Sequence, residues 1–333
     1  MLLTTSTSSV PASAAQSENL QGKAGASSAR ALRAWRLSLR PRTLPLACCG
    51  IVTGSALAAV SGAPWNGGVF WAALLTALLL QLLANLANDY GDYMHRADTP
   101  ERLGPRRGMH LGLISPAGMK KAIWLAALLS VFSGIALMAL ACRSPADVVG
   151  FFVLGALSIA AAITYTVGRR AYGYRGLGDL SVLVFFGWVA VLGSHYLQTH
   201  ALDLRVLIPA TACGLLSVAV LNVNNLRDID EDLRSGKITL AARLGTYRAR
   251  QYHLFLLAAS LGFLVWSARL WSDGRPYVWL CLLALPLFAQ NAAATLRYRE
   301  PAQFRDQLPV VIKISMLALG GFAAGLIMAA RAA

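Results

Sequence analysis

The chain has 333 residues, of which 56% are hydrophobic and only 14% charged, and its mean hydropathy is +0.55. A soluble domain carries about 25% charged residues, so the composition excludes that class and indicates an integral membrane protein. The net charge of +15 raises nucleic-acid binding as an option, which the placement of the basic residues removes.

Residues 1–29 are rich in Ser, Ala, Gln and Gly, with Lys23 as the one basic residue. No apolar core follows a basic start, and the stretch lacks the arginines of a transit peptide. It is expected to be a disordered tail ahead of one membrane domain, 30–333. Next comes a basic amphipathic stretch in which Arg30, Arg33, Arg36, Arg40 and Arg42 flank Trp35, the pattern of an interfacial helix on an anionic membrane face.

Apolar runs follow at about 43–60, 67–88, 119–141, 147–167, 179–199, 204–225, 250–271, 276–296 and 309–330. Each is long enough to cross a bilayer as a helix of ~20 residues. The predicted fold is therefore all-α, a polytopic membrane protein with nine transmembrane helices. The five cysteines lack C-x-x-C spacing and mostly sit inside these runs, where they read as small core residues.

Nine spans put the termini on opposite sides. Of the 30 Lys and Arg residues, 25 fall on the amino-terminal side, which makes that side cytoplasmic. Topology thus accounts for the basic excess without nucleic acid. The expected location is the bacterial inner (cell) membrane, multi-pass, with a cytoplasmic amino terminus.

Eight of the fifteen acidic residues lie in two clusters, one after span two and one after span six, so both face the cytoplasm. The first is Asn85-Leu-Ala-Asn88-Asp89-Tyr-Gly-Asp92, continuing to Asp98 and Glu101. The second is Asn224-Asn225-Leu-Arg227-Asp228-Ile-Asp230-Glu231-Asp232. If span two continues as a helix, Asn85, Asn88, Asp89 and Asp92 share one face. Asn224, Asp228 and Asp232, four residues apart, share another. Carboxylates at this density repel unless a cation intervenes, and all-oxygen ligands with open positions suit Mg²⁺ completed by substrate phosphate. Arg96, Arg102, Arg106 and Arg107 follow the first cluster, and Arg227, Arg234 and Lys237 belong to the second, supplying forks and point charges for phosphate oxygens. No acid lies in the middle of a span, which argues against a cation-coupled transporter.

These residues resemble the paired Asp-rich motifs of the UbiA superfamily of intramembrane prenyltransferases. They are most similar to its 1,4-dihydroxy-2-naphthoate polyprenyltransferase branch. The resemblance rests on Arg40-Pro-Arg-Thr-Leu-Pro45, Asn85 to Asp92, Arg102-Leu-Gly-Pro-Arg-Arg-Gly108, Gly173-Tyr-Arg-Gly-Leu-Gly-Asp179 and Asn224 to Asp230 leading to Gly236-Lys237. It runs from about residue 31 to the carboxyl end. It implies helices around a central cavity under a cytoplasmic cap, and transfer of a polyprenyl group from polyprenyl diphosphate to 1,4-dihydroxy-2-naphthoate, with prenylation at the carbon that loses its carboxylate. The implied partners are polyprenyl diphosphate, 1,4-dihydroxy-2-naphthoate and membrane lipid, with no nucleic acid.

The resemblance further implies that Asn88, Asp92, Asp228 and Asp232 hold Mg²⁺, with Asp89 and Asp98 in support and Lys237 and Arg107 on diphosphate oxygens. Asn85, Asn224 and Asn225 join the substrate-binding set. Metal and basic groups stabilise the departing diphosphate, and an apolar interior protects the allylic cation from water. Tyr165 and Tyr174 read either as aromatic faces for that cation or as interface-belt tyrosines. His195 reads as a hydrogen-bonded intramembrane residue. Asp179 reads as a cap of span five or as an acceptor-orienting group. The competing readings are another aromatic acceptor such as 4-hydroxybenzoate, or a cation-gated transporter or lipid-binding protein. Prenyl chain length and oligomeric state carry no motif.

Overall fold

The computed structural model describes residues 30–95, 97, 104 and 107–332. The expected tail, Asp98, Glu101, Arg96, Arg102 and Arg106 lie outside the described residues. Among those described there is no strand, and nine helices are long and apolar enough to cross a membrane.

The first helix, α1 (30–39), is amphipathic as its sequence requires. Arg30, Arg33 and Arg36 are exposed, while Ala34 and Ser38, four residues apart on the opposite face, are wholly buried. Ala34 packs with Leu83, Leu86, Tyr90 and Met109, so α1 lies across the end of the third helix. Arg40, at φ 48°, ends α1, and a short 3₁₀ turn, Pro41–Thr43, leads into α2 (Leu44–Val60).

The remaining helices are α3 (Gly67–Met94), α4 (Pro116–Ala141), α5 (Pro145–Thr164), α6 (Gly178–Thr199), α7 (Leu207–Arg227), the short α8 (Ile229–Arg234), α9 (Leu240–Trp271), α10 (Pro276–Arg297) and α11 (Gln307–Arg331). Their starts follow local chemistry. The Asn66 side chain caps α3, Ser115 caps α4 ahead of Pro116, and Ser144 with Asp147 forms a capping box ahead of Pro145 on α5. The expected spans are found, with three differences. Helix α3 runs six residues past its apolar stretch to Met94, carrying the first cluster as helix. Helix α5 ends at Thr164, leaving Tyr165 at its cap. Helix α9 starts at Leu240 rather than 250, its polar first turns kinked at Gly245 (φ 70°, ψ 163°).

Burial ranks the helices. Within its most apolar window α7 is 72% buried and α5 only 6%, so α7 is the central post, while α5 lies at the periphery and packs one side, with Ile159, Ala162 and Ile163, on its neighbours. Leu216, Val220 and Val223 of α7 pack with Leu256 and Leu264 of α9 and Ile314 and Phe322 of α11. A polar tie reinforces this side: His253 Nε2 shares a 2.8 Å hydrogen bond with Asn291 Oδ1, and Asn291 Nδ2 donates to Gln307 Oε1 at 2.8 Å. The expected partner of His195 is found in part: Nδ1 lies 3.5 Å from Thr199 Oγ1, while buried Nε2 meets no hydrogen-bond partner among the described residues.

Helices α10 and α11 approach closely enough that a Cβ on Gly325 would stand 2.2 Å from the Tyr277 carbonyl oxygen. The backbone must yield to any side chain there. Gly325→Val is expected to cost about 1–3 kcal/mol by overpacking, read as a lower melting temperature in detergent. Gly320→Val, whose Cβ meets nothing within 4 Å, is expected to melt like the parent; equal loss in both variants would refute the close-packing account.

Candidate active site

The last turns of α3 carry the first cluster, and the structure divides its polar face in two. Asn85 and Asp89, one turn apart, turn toward α1. Asn85 Nδ2 donates to Leu39 O at 2.9 Å and Thr43 Oγ1 at 3.4 Å, and its Oδ1 accepts from Gln81 at 3.0 Å. Asp89 Oδ2 accepts a hydrogen bond from Ser38, while its other oxygen is buried with no partner among the described residues. Asn88 and Asp92 turn the other way. Asn88 Oδ1 accepts from Thr166 at 3.1 Å. Asp92 is 3% exposed; it pairs with Arg107 and accepts from Tyr174 Oη at 2.6 Å. Asn88 and Asp92 therefore share the half of the face that meets Thr166, Arg107 and Tyr174. Asn85 brings all its bonds back into the protein and is a brace, because α1 lies across that half of the helix.

The second cluster does not sit on one unbroken helix, as its spacing suggested. Helix α7 ends at Arg227 and α8 begins at Ile229, with Asp228 at the joint (φ −101°, ψ 11°). The joint is tight: Asp232 N donates to Asp228 O at 2.8 Å, so the two carboxylates stay one turn apart. Asp228 takes both arms of the buried Arg227 guanidinium at 2.6 Å. Asp232 pairs with Lys237 Nζ at 3.0 Å and accepts from Thr239 at 3.4 Å. Asn225 is buried and Asn224 half-buried, and neither side chain hydrogen-bonds to a described residue.

The loop between α5 and α6 joins the clusters. Tyr174, hydrogen-bonded to Asp92, also accepts from Ile238 N at 3.0 Å, and Lys237 Nζ lies 5.8 Å from its ring centroid. Asp92, Tyr174, Lys237 and Asp232 thus form one continuous chain of contacts across helix ends more than a hundred residues apart in sequence. Tyr165, half-buried at the cap of α5, packs edge-on to Tyr172 at 5.3 Å.

The charges reinforce one another. Burial alone would push the Arg107 guanidinium down, but Asp92, Asp89 and Asp228 outweigh it and hold it firmly charged. Lys237 is likewise penalised by burial and more than restored by Asp232 and Asp92. The Asp232 carboxyl is pushed up to about 6, first by burial; Lys237 opposes this, and the charges of Asp228 and Asp92 add to it. Burial and the Asp92 charge raise the Tyr174 phenol, which therefore stays protonated and donates.

Several partners were not foreseeable from the sequence. Ser38, Thr166, Thr239 and Tyr252 lie in no motif, and their roles depend on which helices meet. Among the described residues no group of three or more His, Cys, Asp or Glu converges as a metal site. The carboxylates are instead held by Arg107, Arg227 and Lys237.

Comparison with known proteins adds the lineage. The UbiA prenyltransferase family matches residues 47–325. A 1,4-dihydroxy-2-naphthoate octaprenyltransferase of Escherichia coli (strain K12) is 50% identical over 301 residues, 90% of this chain and 97% of that protein. One of Haemophilus influenzae is 46% identical over 293 residues, 86% of this chain and 92% of that protein. In three dimensions the chain resembles a UbiA homolog from Archaeoglobus fulgidus bound to DMAPP and Mg²⁺, with a TM-score of 0.55, 14% identity, and coverage of 89% of this chain and 99% of that one. That likeness is one of fold. With the family matching most of the chain and relatives this similar over nearly their whole length, this protein belongs to the UbiA prenyltransferase family.

Proposed function

We propose that this membrane enzyme transfers a polyprenyl group from polyprenyl diphosphate to 1,4-dihydroxy-2-naphthoate, releasing diphosphate and carbon dioxide and forming demethylmenaquinol. The observation that carries the reading is the contact chain from Asp92 through Tyr174 and Lys237 to Asp232, at the end of an apolar helix bundle. The names of the relatives supply the acceptor. The reacting unit is residues 30–333, and the site faces the cytoplasmic side of the bacterial cell membrane by the distribution of Lys and Arg.

The residues fit Mg²⁺ in kind. The donors are carboxylate and amide oxygens only, the hard set this ion prefers. Burial and the neighbouring aspartates also leave Asp232 near 6, a strain a divalent cation relieves. Asp92, Asp228 and Asp232 with Asn88 would hold it, and a relative of the same fold is bound to DMAPP and Mg²⁺. Bound there, Mg²⁺ neutralises charge developing on the leaving diphosphate.

The chain's own residues do the rest. Arg107 and Lys237 exchange carboxylate for diphosphate oxygens, keeping their charge throughout. The carbon–oxygen bond of the donor breaks with its electron pair going to diphosphate. Tyr165 and Tyr174 present ring faces to the allylic cation. Asn224 and Asn225, with amides uncommitted among the described residues, bind substrate oxygens. Asp89 and Asn85 anchor α1 over the site.

Membranes containing the protein are expected to consume polyprenyl diphosphate and 1,4-dihydroxy-2-naphthoate together. EDTA should stop the reaction and added Mg²⁺ restore it, followed by product extraction and chromatography. Transfer to 4-hydroxybenzoate instead of the naphthoate, or transfer indifferent to EDTA, would overturn the reading.

A further inference from the structure

One buried carboxylate belongs to neither cluster. Asp179, the second residue of α6, is 7% exposed. Its Oδ1 accepts from Tyr252 Oη of α9 at 3.2 Å, and its Oδ2 is buried with no hydrogen-bond partner among the described residues. It stands in the first turn of α6, whose N-cap residue Leu177 supplies no side-chain cap bond. A carboxylate oxygen buried without a donor is costly, and such a group in a native fold calls for a reason.

Its surroundings point to one. The preceding residue, Gly178, lies against the Tyr165 hydroxyl: a Cβ there would stand 2.7 Å from that oxygen and 3.4 Å from Leu221, one turn before Asn224 and Asn225. Tyr172, which packs on Tyr165, shares a 2.9 Å hydrogen bond with Ser181, one turn along α6. Burial raises the Tyr165 phenol most; among the charges acting on it, Asp179 comes first, ahead of Asp92 and Asp232. Tyr165 thus meets the residue next to Asp179 while feeling the charges of Asp179, Asp92 and Asp232, and Tyr252 closes the other side of the carboxylate.

We propose that Asp179, backed by Tyr252, is the subsite for a ring hydroxyl of the aromatic acceptor, the one adjacent to its carboxylate. The free oxygen takes that hydroxyl's hydrogen bond, and its proton as the ring attacks. The proposal rests on the reaction assigned above. The atoms balance without any other reactant. The ring carbon bearing the carboxylate forms the new bond to the allylic carbon, driven by electrons from the adjacent oxygen, whose proton passes to Asp179. The product of that step is a β-keto carboxylate. Loss of carbon dioxide returns the carbon–carbon bonding pair to the ring, and the oxygen takes its proton back from Asp179. No net proton leaves, so Asp179 is a temporary store and needs no exit path to water, which suits its burial.

The test uses the full chain in membranes or detergent. Asp179→Asn is expected to lower kcat about 10²–10⁴-fold, the range for a lost general base. The Kd of an unreactive thiodiphosphate analogue of the donor, measured with Mg²⁺, should stay within about twofold, since RT ln 2 is far below the worth of one charge-assisted contact. A ring-halogenated acceptor with a more acidic hydroxyl should recover much of the loss in Asp179→Asn and change the parent little. Tyr252→Phe, which removes one hydroxyl and should fold, is expected to show a smaller loss with the same dependence on acceptor acidity. It decides the matter should Asp179→Asn fail to fold. Parent-like turnover of Asp179→Asn, an equal loss of donor affinity, or no acceptor-acidity effect in either variant overturns the assignment. A parent that does not prenylate the naphthoate at all overturns the reaction instead, so the two failures are distinguishable.

Discussion

Asp92→Ala is expected to reduce turnover about 10³-fold or more, since a single preorganised electrostatic contact is worth 10²–10³ and Asp92 anchors several. Arg107 and Tyr174 converge on its two oxygens, and Lys237 feels its charge. On the mechanism proposed above, removing it takes away a Mg²⁺ ligand and disorganises Arg107, Tyr174 and Lys237. Asp92→Asn separates the two effects: it keeps an acceptor for Tyr174 but loses the charge, and should remain nearly as inactive while folding better. The control is Asp230→Ala, in the same acidic run but exposed, which should retain parent-like kcat. The comparison requires kcat at saturating donor and melting temperature for all three. If Asp230→Ala is as damaged as Asp92→Ala, acidity of the run matters and the geometry does not.

Arg227→Ala is expected to be among the most destabilising single changes, about 3–5 kcal/mol, the cost of stripping one partner from a buried ion pair. The guanidinium and carboxylate are both buried and joined by two bonds of 2.6 Å at the joint between α7 and α8. Without Arg227, buried Asp228 loses both guanidinium bonds at the point where the central helix turns. Lysine cannot reproduce the fork, so Arg227→Lys should rescue little. Asp228→Asn in the Arg227→Ala background should recover part of the lost stability, giving a double-mutant cycle with strong coupling. Thermal unfolding in a mild detergent reads all four proteins. Additive losses would show that the pair contributes no mutual stabilisation, and would move the role of Arg227 to substrate.

Much of this molecule could be read from the chain alone. Bilayer thickness and the need to satisfy backbone polar groups leave little freedom to runs of apolar residues, so the span positions followed from composition. Basic residues on alternate loops arranged those spans. The polar ends of α3 and α7 stood out because amides and carboxylates beside hydrocarbon are rare. Helix periodicity then paired Asn88 with Asp92, and the i, i+4 spacing paired Asp228 with Asp232.

Periodicity could not say which neighbour each side of a polar face would meet. Asn85 and Asp89 have the same residue types as Asn88 and Asp92, yet α1 covers the first pair and the α5–α6 loop meets the second. Nor could it show that Asp228 breaks the helix, or that Tyr174 and Lys237 link the two halves. Residue types and spacing therefore determined the membrane class, the spans and the chemistry on offer, because those depend on local periodicity and on solvent. Which carboxylate meets the α5–α6 loop, which one braces α1, and which one meets Tyr252 were decided by helix packing, because contacts between residues fifty or more positions apart leave no local trace.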